Sequence, residues 1–117
     1  MPTFILHTNI PKLDLELETL MHREIREIMS DVIGKSKDFI LTILHSGVSM
    51  QFGETDKPAA YCEVKNVGSL TKEITSQLSS LLCEFLEQKL KVARKQIYIE
   101  FQESVRHLWG WNGGTFA

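Results

Sequence analysis

The chain reads as strand, helix, strand, and then as strand, helix, strand again. The first pass has a β-rich run at about Thr3 to Thr8, a helix from about Asp14 to Gly34 and an almost continuously apolar run, Asp38-Phe-Ile-Leu-Thr-Ile-Leu-His45. The second has a strand at Ala59 to Val67, a helix beginning near residue 71 and a strand at Gln96 to Gln102. Corresponding starts, at 3 and 59, 14 and 71, 39 and 97, are offset by 56, 57 and 58 residues, a repeat of architecture and not of sequence. Parallel strands need a crossover, and crossovers are right-handed. Two such units side by side predict an α/β (α+β) fold, with one four-stranded mixed sheet and both helices on a single face.

The helices declare their ends and buried sides. Asp14 is placed to cap the first, whose Leu17, Met21, Ile25, Ile28, Met29 and Val32 recur at three and four, and Gly34 ends it. The second carries Ile74, Leu78, Leu81, Leu82, Phe85, Leu86 and Leu90 as its stripe. The run from Asp38 to His45 is apolar in both parities, so it reads as a strand covered on both faces. Two helices on one face cannot hide both Phe39, Leu41 and Ile43 and the alternate Ile40 and Leu44, and an uncovered apolar face predicts a closed oligomer. Met50 to Pro58 reads as a loop or short edge segment, and the tail, Trp109-Gly-Trp-Asn-Gly-Gly-Thr-Phe-Ala117, as an extended aromatic arm.

Composition removes several function classes. With 117 residues, residues 1 to 117 form one domain, and a net charge of -2 without a basic run offers no footprint for nucleic acid or an anionic membrane. No apolar stretch approaches the roughly 18–20 residues needed to span a bilayer, and no signal-peptide pattern opens the chain, so a soluble cytoplasmic protein without membrane insertion is expected. The four histidines, His7, His22, His45 and His107, show no metal-ligand spacing; no phosphate-binding glycine motif and no serine-nucleophile elbow is present. No metal and no cofactor is expected. Cys62 and Cys83 read as buried free thiols.

What remains is Pro2 behind the initiator methionine. If Met1 is removed, as is usual before a small residue, the chain begins with a secondary amine on the rim of a strand. An α-amino group titrates at roughly 7.7–8.0, and burial or a nearby cation lowers this, leaving a base that is largely neutral near pH 7. Lys35, directly after the helix-ending Gly34, is a cation that also suits a helix C-terminus.

The opening Met1-Pro2-Thr3-Phe4-Ile5 with Thr8-Asn9, the Gly34-Lys35 step, Phe52-Gly53, Val67-Gly68, Ser80-Leu-Leu-Cys83, Tyr98-Ile99 and the closing Gly110-Trp-Asn-Gly-Gly-Thr-Phe116 together resemble the macrophage migration inhibitory factor family of the tautomerase superfamily. The resemblance runs along the whole chain. It implies a double βαβ fold assembled as a homotrimer with active sites between subunits. It further implies keto–enol tautomerisation of phenylpyruvate-like and dopachrome-like substrates, with Pro2 as general base. Lys35 would hold the substrate carboxylate or polarise its carbonyl, Val67 would supply an apolar wall, and Tyr98 would reach in from a neighbouring subunit. Phe39, Trp111 and Phe116 would hold the aromatic ring and keep the amine desolvated. The same relatives imply a rival role, a cytokine-like ligand that leaves the cell without a signal peptide and binds a surface receptor near the proline pocket.

Three residues depart from the family pattern. Glu100 stands where mammalian members carry asparagine; a carboxylate there would pair with Lys35 and raise the pKa of Pro2. The bulky Trp109 lies near the expected mouth of the pocket. Ala59-Ala-Tyr-Cys62 lacks the first cysteine of the mammalian C-x-x-C, which leaves Cys62 without a resolving partner.

Overall fold

The computed structural model describes residues 1–117. Its elements are β1 (Thr3–Thr8), α1 (Leu15–Ile33), β2 (Leu41–His45), β3 (Ala60–Val67), α2 (Lys72–Leu90), β4 (Ile97–Ser104) and a small hairpin, β5 (Gly110–Trp111) and β6 (Gly114–Thr115). The sheet order is β2-β1-β3-β4, with β1 parallel to β2, antiparallel to β3, and β3 parallel to β4. This is the mixed sheet of two strand, helix, strand units.

Strand parity fixes which face is covered. Phe4, Leu6 and Thr8 of β1 and Cys62, Val64 and Asn66 of β3 are all at most 1% exposed. They join Met21, Ile25 and Met29 of α1 and Leu78, Leu82 and Leu86 of α2 beneath the helices. The alternate residues, Ile5, His7, Tyr61, Glu63 and Lys65, are half-buried on the face that neither helix reaches.

Both helices begin as their caps dictate. The Asp14 carboxylate accepts from Leu17 N–H at 2.8 Å, and Thr71 caps α2 by accepting from Ile74 N–H at 3.2 Å. Gly34 ends α1 at φ 79, its N–H donating to Ser30 O at 2.9 Å. A Cβ at Gly34 meets nothing within 4 Å, so alanine there suffers backbone strain alone. Gly34→Ala is expected to cost about 1–2 kcal/mol, read as a lower urea midpoint at unchanged slope. α2 ends on Lys91, also left-handed at φ 60, a position its residue type does not advertise.

Four expectations need correction. The run from Asp38 to His45 is not one strand: Ser36 Oγ accepts from Asp38 N–H at 3.2 Å and winds Lys37–Phe39 into a 3-10 turn, so β2 starts only at Leu41. Nor is β2 covered on both faces, because the sheet order puts it at an edge, and Leu41 is 55% exposed. The tail is not an extended arm. Asn112 and Gly113, at φ 52 and 82, supply the two positive angles that a tight hairpin turn demands. Cys83, read as buried, is only partly so, at the margin of the core, whereas Cys62 is enclosed.

Candidate active site

The N-terminus leads directly into the centre of the sheet. Pro2 is buried, and its carbonyl accepts from Leu41 N–H at 3.2 Å, which carries the β1–β2 pairing one step beyond the strand. The amine of Met1 is held below the ordinary α-amino range, chiefly by burial and secondarily by the Lys35 cation. Lys35 is delivered by the end of α1, where Ser30 Oγ donates to the Lys35 carbonyl at 2.7 Å. The neighbouring cation, Lys37, is tied to Glu27 at 2.7 Å, which leaves Lys35 to act on the amine.

Around this amine the fold gathers aromatic side chains from distant parts of the chain. Phe39, placed by the 3-10 turn, meets the edge of Trp111 on β5 at a centroid distance of 5.4 Å and an angle of 72°. Trp111 stacks on Phe116 at 5.8 Å and 8°. The small hairpin is closed by Phe116 N–H donating to Trp109 O at 3.2 Å and by the Arg106 guanidinium donating to Phe116 O. Trp109, Trp111, Phe116 and Phe39, with Met1, Thr3, Asp38, Ile40 and Leu41, line a cleft of about 360 Å³. Four hollows are larger, at Gly68 to His107, along the first turns of α1, between Ser76 and Ile97, and at Asn9 with Val48 to Asp56, yet none joins an apolar wall to the terminal amine.

Within one chain the other expected site residues stand apart from this cleft. Val67 ends β3 and is buried; continuing the Thr3↔Lys65 register sets it across from the N-terminus. Tyr98 and Glu100 lie on β4, on the uncovered face and two strands from β1. Tyr98 is 66% exposed and packs on Phe52 at 4.7 Å. The expected Glu100–Lys35 pair does not form within the chain, because Glu100 accepts from Tyr61 OH at 3.2 Å instead. Burial first, and then Glu100, pushes the Tyr61 phenol up.

Two residues that sequence reasoning passed over enter the picture. Asp38 lines the cleft because the Ser36 turn directs it there, and Ser-x-Asp after a helix-ending glycine is the local signal for such a turn. Asn66, 1% exposed, keeps a buried Oδ1 without a hydrogen-bond partner, and the same register sets it across from Pro2. Only the strand pairing discloses that position. The two thiols take no part: burial pushes both Cys62 and Cys83 up, away from thiolate chemistry.

The comparisons fit this geometry. The family model described as Macrophage migration inhibitory factor (MIF) matches residues 1–117. The macrophage migration inhibitory factor of Xenopus tropicalis is 29% identical over 117 residues, all of both chains. Among solved structures, the homologue from Prochlorococcus marinus superimposes with a TM-score of 0.92 at 32% identity, covering 98% of this chain and 99% of that one. The macrophage migration inhibitory factor-like protein of Entamoeba histolytica gives 0.89 at 28% identity, covering 98% of each. A family match from the first residue to the last, on a superimposable fold, places this chain in the macrophage migration inhibitory factor family of the tautomerase superfamily.

Proposed function

We propose that this protein is a keto–enol tautomerase, an isomerase acting on phenylpyruvate-type and dopachrome-type substrates, with the amine of Pro2 as its general base once Met1 is removed. The observation that carries this reading is a cleft walled by four aromatic rings and reached by Met1, whose amine, next to Pro2 in the chain, is lowered by burial and by Lys35. A neutral amine takes the proton from the carbon next to the carbonyl, and the resulting ammonium returns it to the other end of the enol system. Lys35 binds the carboxylate and steadies the charge that develops on the carbonyl oxygen. Phe39, Trp111 and Phe116 receive the aromatic ring, Trp109 narrows the mouth, and Val67 closes the apolar wall.

Assembly as a homotrimer belongs to the same reading. Leu41 and Tyr98 are 55% and 66% exposed, more apolar surface at one sheet than a monomer profits from showing. Tyr98 and Glu100 reach a proline cleft only if that cleft belongs to a neighbouring copy. A test of the whole reading is phenylpyruvate turnover by protein whose intact mass lacks Met1, against protein that retains it. Equal rates would exclude the proline base.

The charges on either side of the amine make opposite demands. Removing the Lys35 cation raises the amine pKa, so Lys35→Met is expected to move the acid limb of the kcat/KM profile to higher pH and to raise KM for carboxylated substrates. Glu100 raises that pKa when it faces the cleft, so Glu100→Asn is expected to move the limb to lower pH. Superimposable profiles for wild type and Glu100→Asn would place the carboxylate outside the site.

A second reading, a secreted ligand for a cell-surface receptor, is favoured by the relatives' name, a factor acting on macrophages. No helix here is long and apolar enough to cross a membrane. Cell-surface binding retained by inactive Pro2→Gly protein separates signalling from turnover; absence of binding by both proteins leaves catalysis alone.

A further inference from the structure

We infer that His7 and His45 form a binding site for a divalent transition-metal ion of zinc-like ligand preference on the uncovered face of the sheet. The two histidines lie 38 residues apart and show no ligand spacing in the sequence. Parallel pairing of β1 with β2 sets them side by side in register, at the carboxyl ends of both strands. Their Nδ1 atoms are 3.2 Å apart, with ring centroids at 4.9 Å and planes inclined by 56°. Two nitrogens bound at about 2.0–2.1 Å in a tetrahedral shell stand roughly 3.3–3.4 Å from one another. The nitrogen separation is already that of a chelating pair; both rings must turn so that their Nδ1 lone pairs, now along the line between the nitrogens, converge on an ion beside it.

The surroundings of His7 are those of a metal-holding imidazole. Its Nε2–H donates to Glu63 Oε2 at 3.2 Å, which leaves the Nδ1 lone pair directed at His45. Glu63 is steadied in turn by Lys65 at 3.8 Å, and Tyr61 stacks on the His7 ring at 5.9 Å and 16°. A carboxylate on the far nitrogen fixes the tautomer, holds the ring and raises its basicity toward a metal. His45 is different: it is exposed at the end of an edge strand and has His7 as its only side-chain hydrogen-bond partner. One ligand is therefore held and the other is free to turn onto an arriving ion.

With Glu63 accepting from Nε2 of His7, the gap between the rings is spanned by a hydrogen bond from His45 Nδ1–H to His7 Nδ1. The metal takes the place of that proton, which moves to the exposed Nε2 of His45, so both ligands are neutral imidazoles. Water fills the remaining positions, and the site exchanges its ion with solution. First-row ions follow the usual order at such nitrogens, Cu²⁺ binding more tightly than Zn²⁺. The site lies on the uncovered face and shares no residue with the aromatic cleft.

The test is calorimetric titration of Zn²⁺ into the full-length protein, with Cu²⁺ electron paramagnetic resonance reporting imidazole nitrogen couplings. One ion per chain is expected. His45→Ala, a change at an exposed ring outside the core, is expected to abolish it, and Glu63→Gln to weaken it roughly 10–100-fold. His107→Ala, at an exposed turn residue, is the control and is expected to bind as wild type does. Absence of binding by the wild type, binding undiminished in His45→Ala, or one ion per three chains would each overturn the two-histidine site.

Discussion

Replacing Pro2 by glycine is expected to lower kcat/KM for phenylpyruvate tautomerisation by about 10²–10⁴-fold, the range a positioned acid–base group contributes. Glycine in the second position still permits removal of Met1, so the variant keeps an α-amine and loses the ring that fixes it. The residual rate measures how much of the catalysis comes from position and how much from mere basicity. Pro2 is a buried residue at a strand entrance whose carbonyl, unchanged by the substitution, still bonds Leu41 N–H. Its thermal unfolding should shift far less than its activity falls. A variant as active as wild type would place the base elsewhere.

The second large effect concerns the core that positions this terminus. Leu82, fully buried on α2, belongs to the cluster that includes Phe4 and Leu6 of β1, the strand that carries Pro2. Leu82→Ala is expected to cost about 2–5 kcal/mol, a sizeable part of the roughly 5–15 kcal/mol that holds a domain of this size. Urea unfolding at fixed protein concentration should show a lower midpoint with an unchanged slope. A cost below 1 kcal/mol would mean that the sheet and helices close over the space.

Much of the fold was legible because its signals are local. Asp14 and Gly34 mark the two ends of α1, and the three-and-four spacing from Leu17 to Val32 names its buried side. The offset of nearly constant length between the two halves predicted the mixed sheet that pairs β1 with β2 and β3 with β4. Where reading failed, a short-range hydrogen bond outweighed an apolar pattern. Phe39 and Ile40 look like strand, but the Ser36 hydroxyl takes the Asp38 amide and turns the chain first. In the tail the Asn112-Gly113 pair was a legible hairpin signal passed over in favour of the glycine content.

The site divides differently. Pro2 and Lys35 were visible as chemistry, a terminal amine and a cation, while the roles of Phe39, Trp109, Trp111 and Phe116 came from the resemblance. Some seventy residues separate Phe39 from the three tail aromatics, and only folding shows that one cleft holds all four. Tyr98 and Glu100 remain two strands away in the isolated chain, where Glu100 serves Tyr61. His7 and His45 show no metal-ligand spacing in the sequence; strand order alone makes them neighbours.

Catalysis by this route depends on the protonation state of the Pro2 amine, and nuclear magnetic resonance of ¹⁵N-proline-labelled protein with Met1 removed measures it directly. The Pro2 amine is expected to titrate below the ordinary α-amino range of roughly 7.7–8.0, coincident with the acid limb of kcat/KM and displaced upward in Lys35→Met. An amine that titrates at or above the ordinary range, or apart from the kinetic limb, would contradict this expectation.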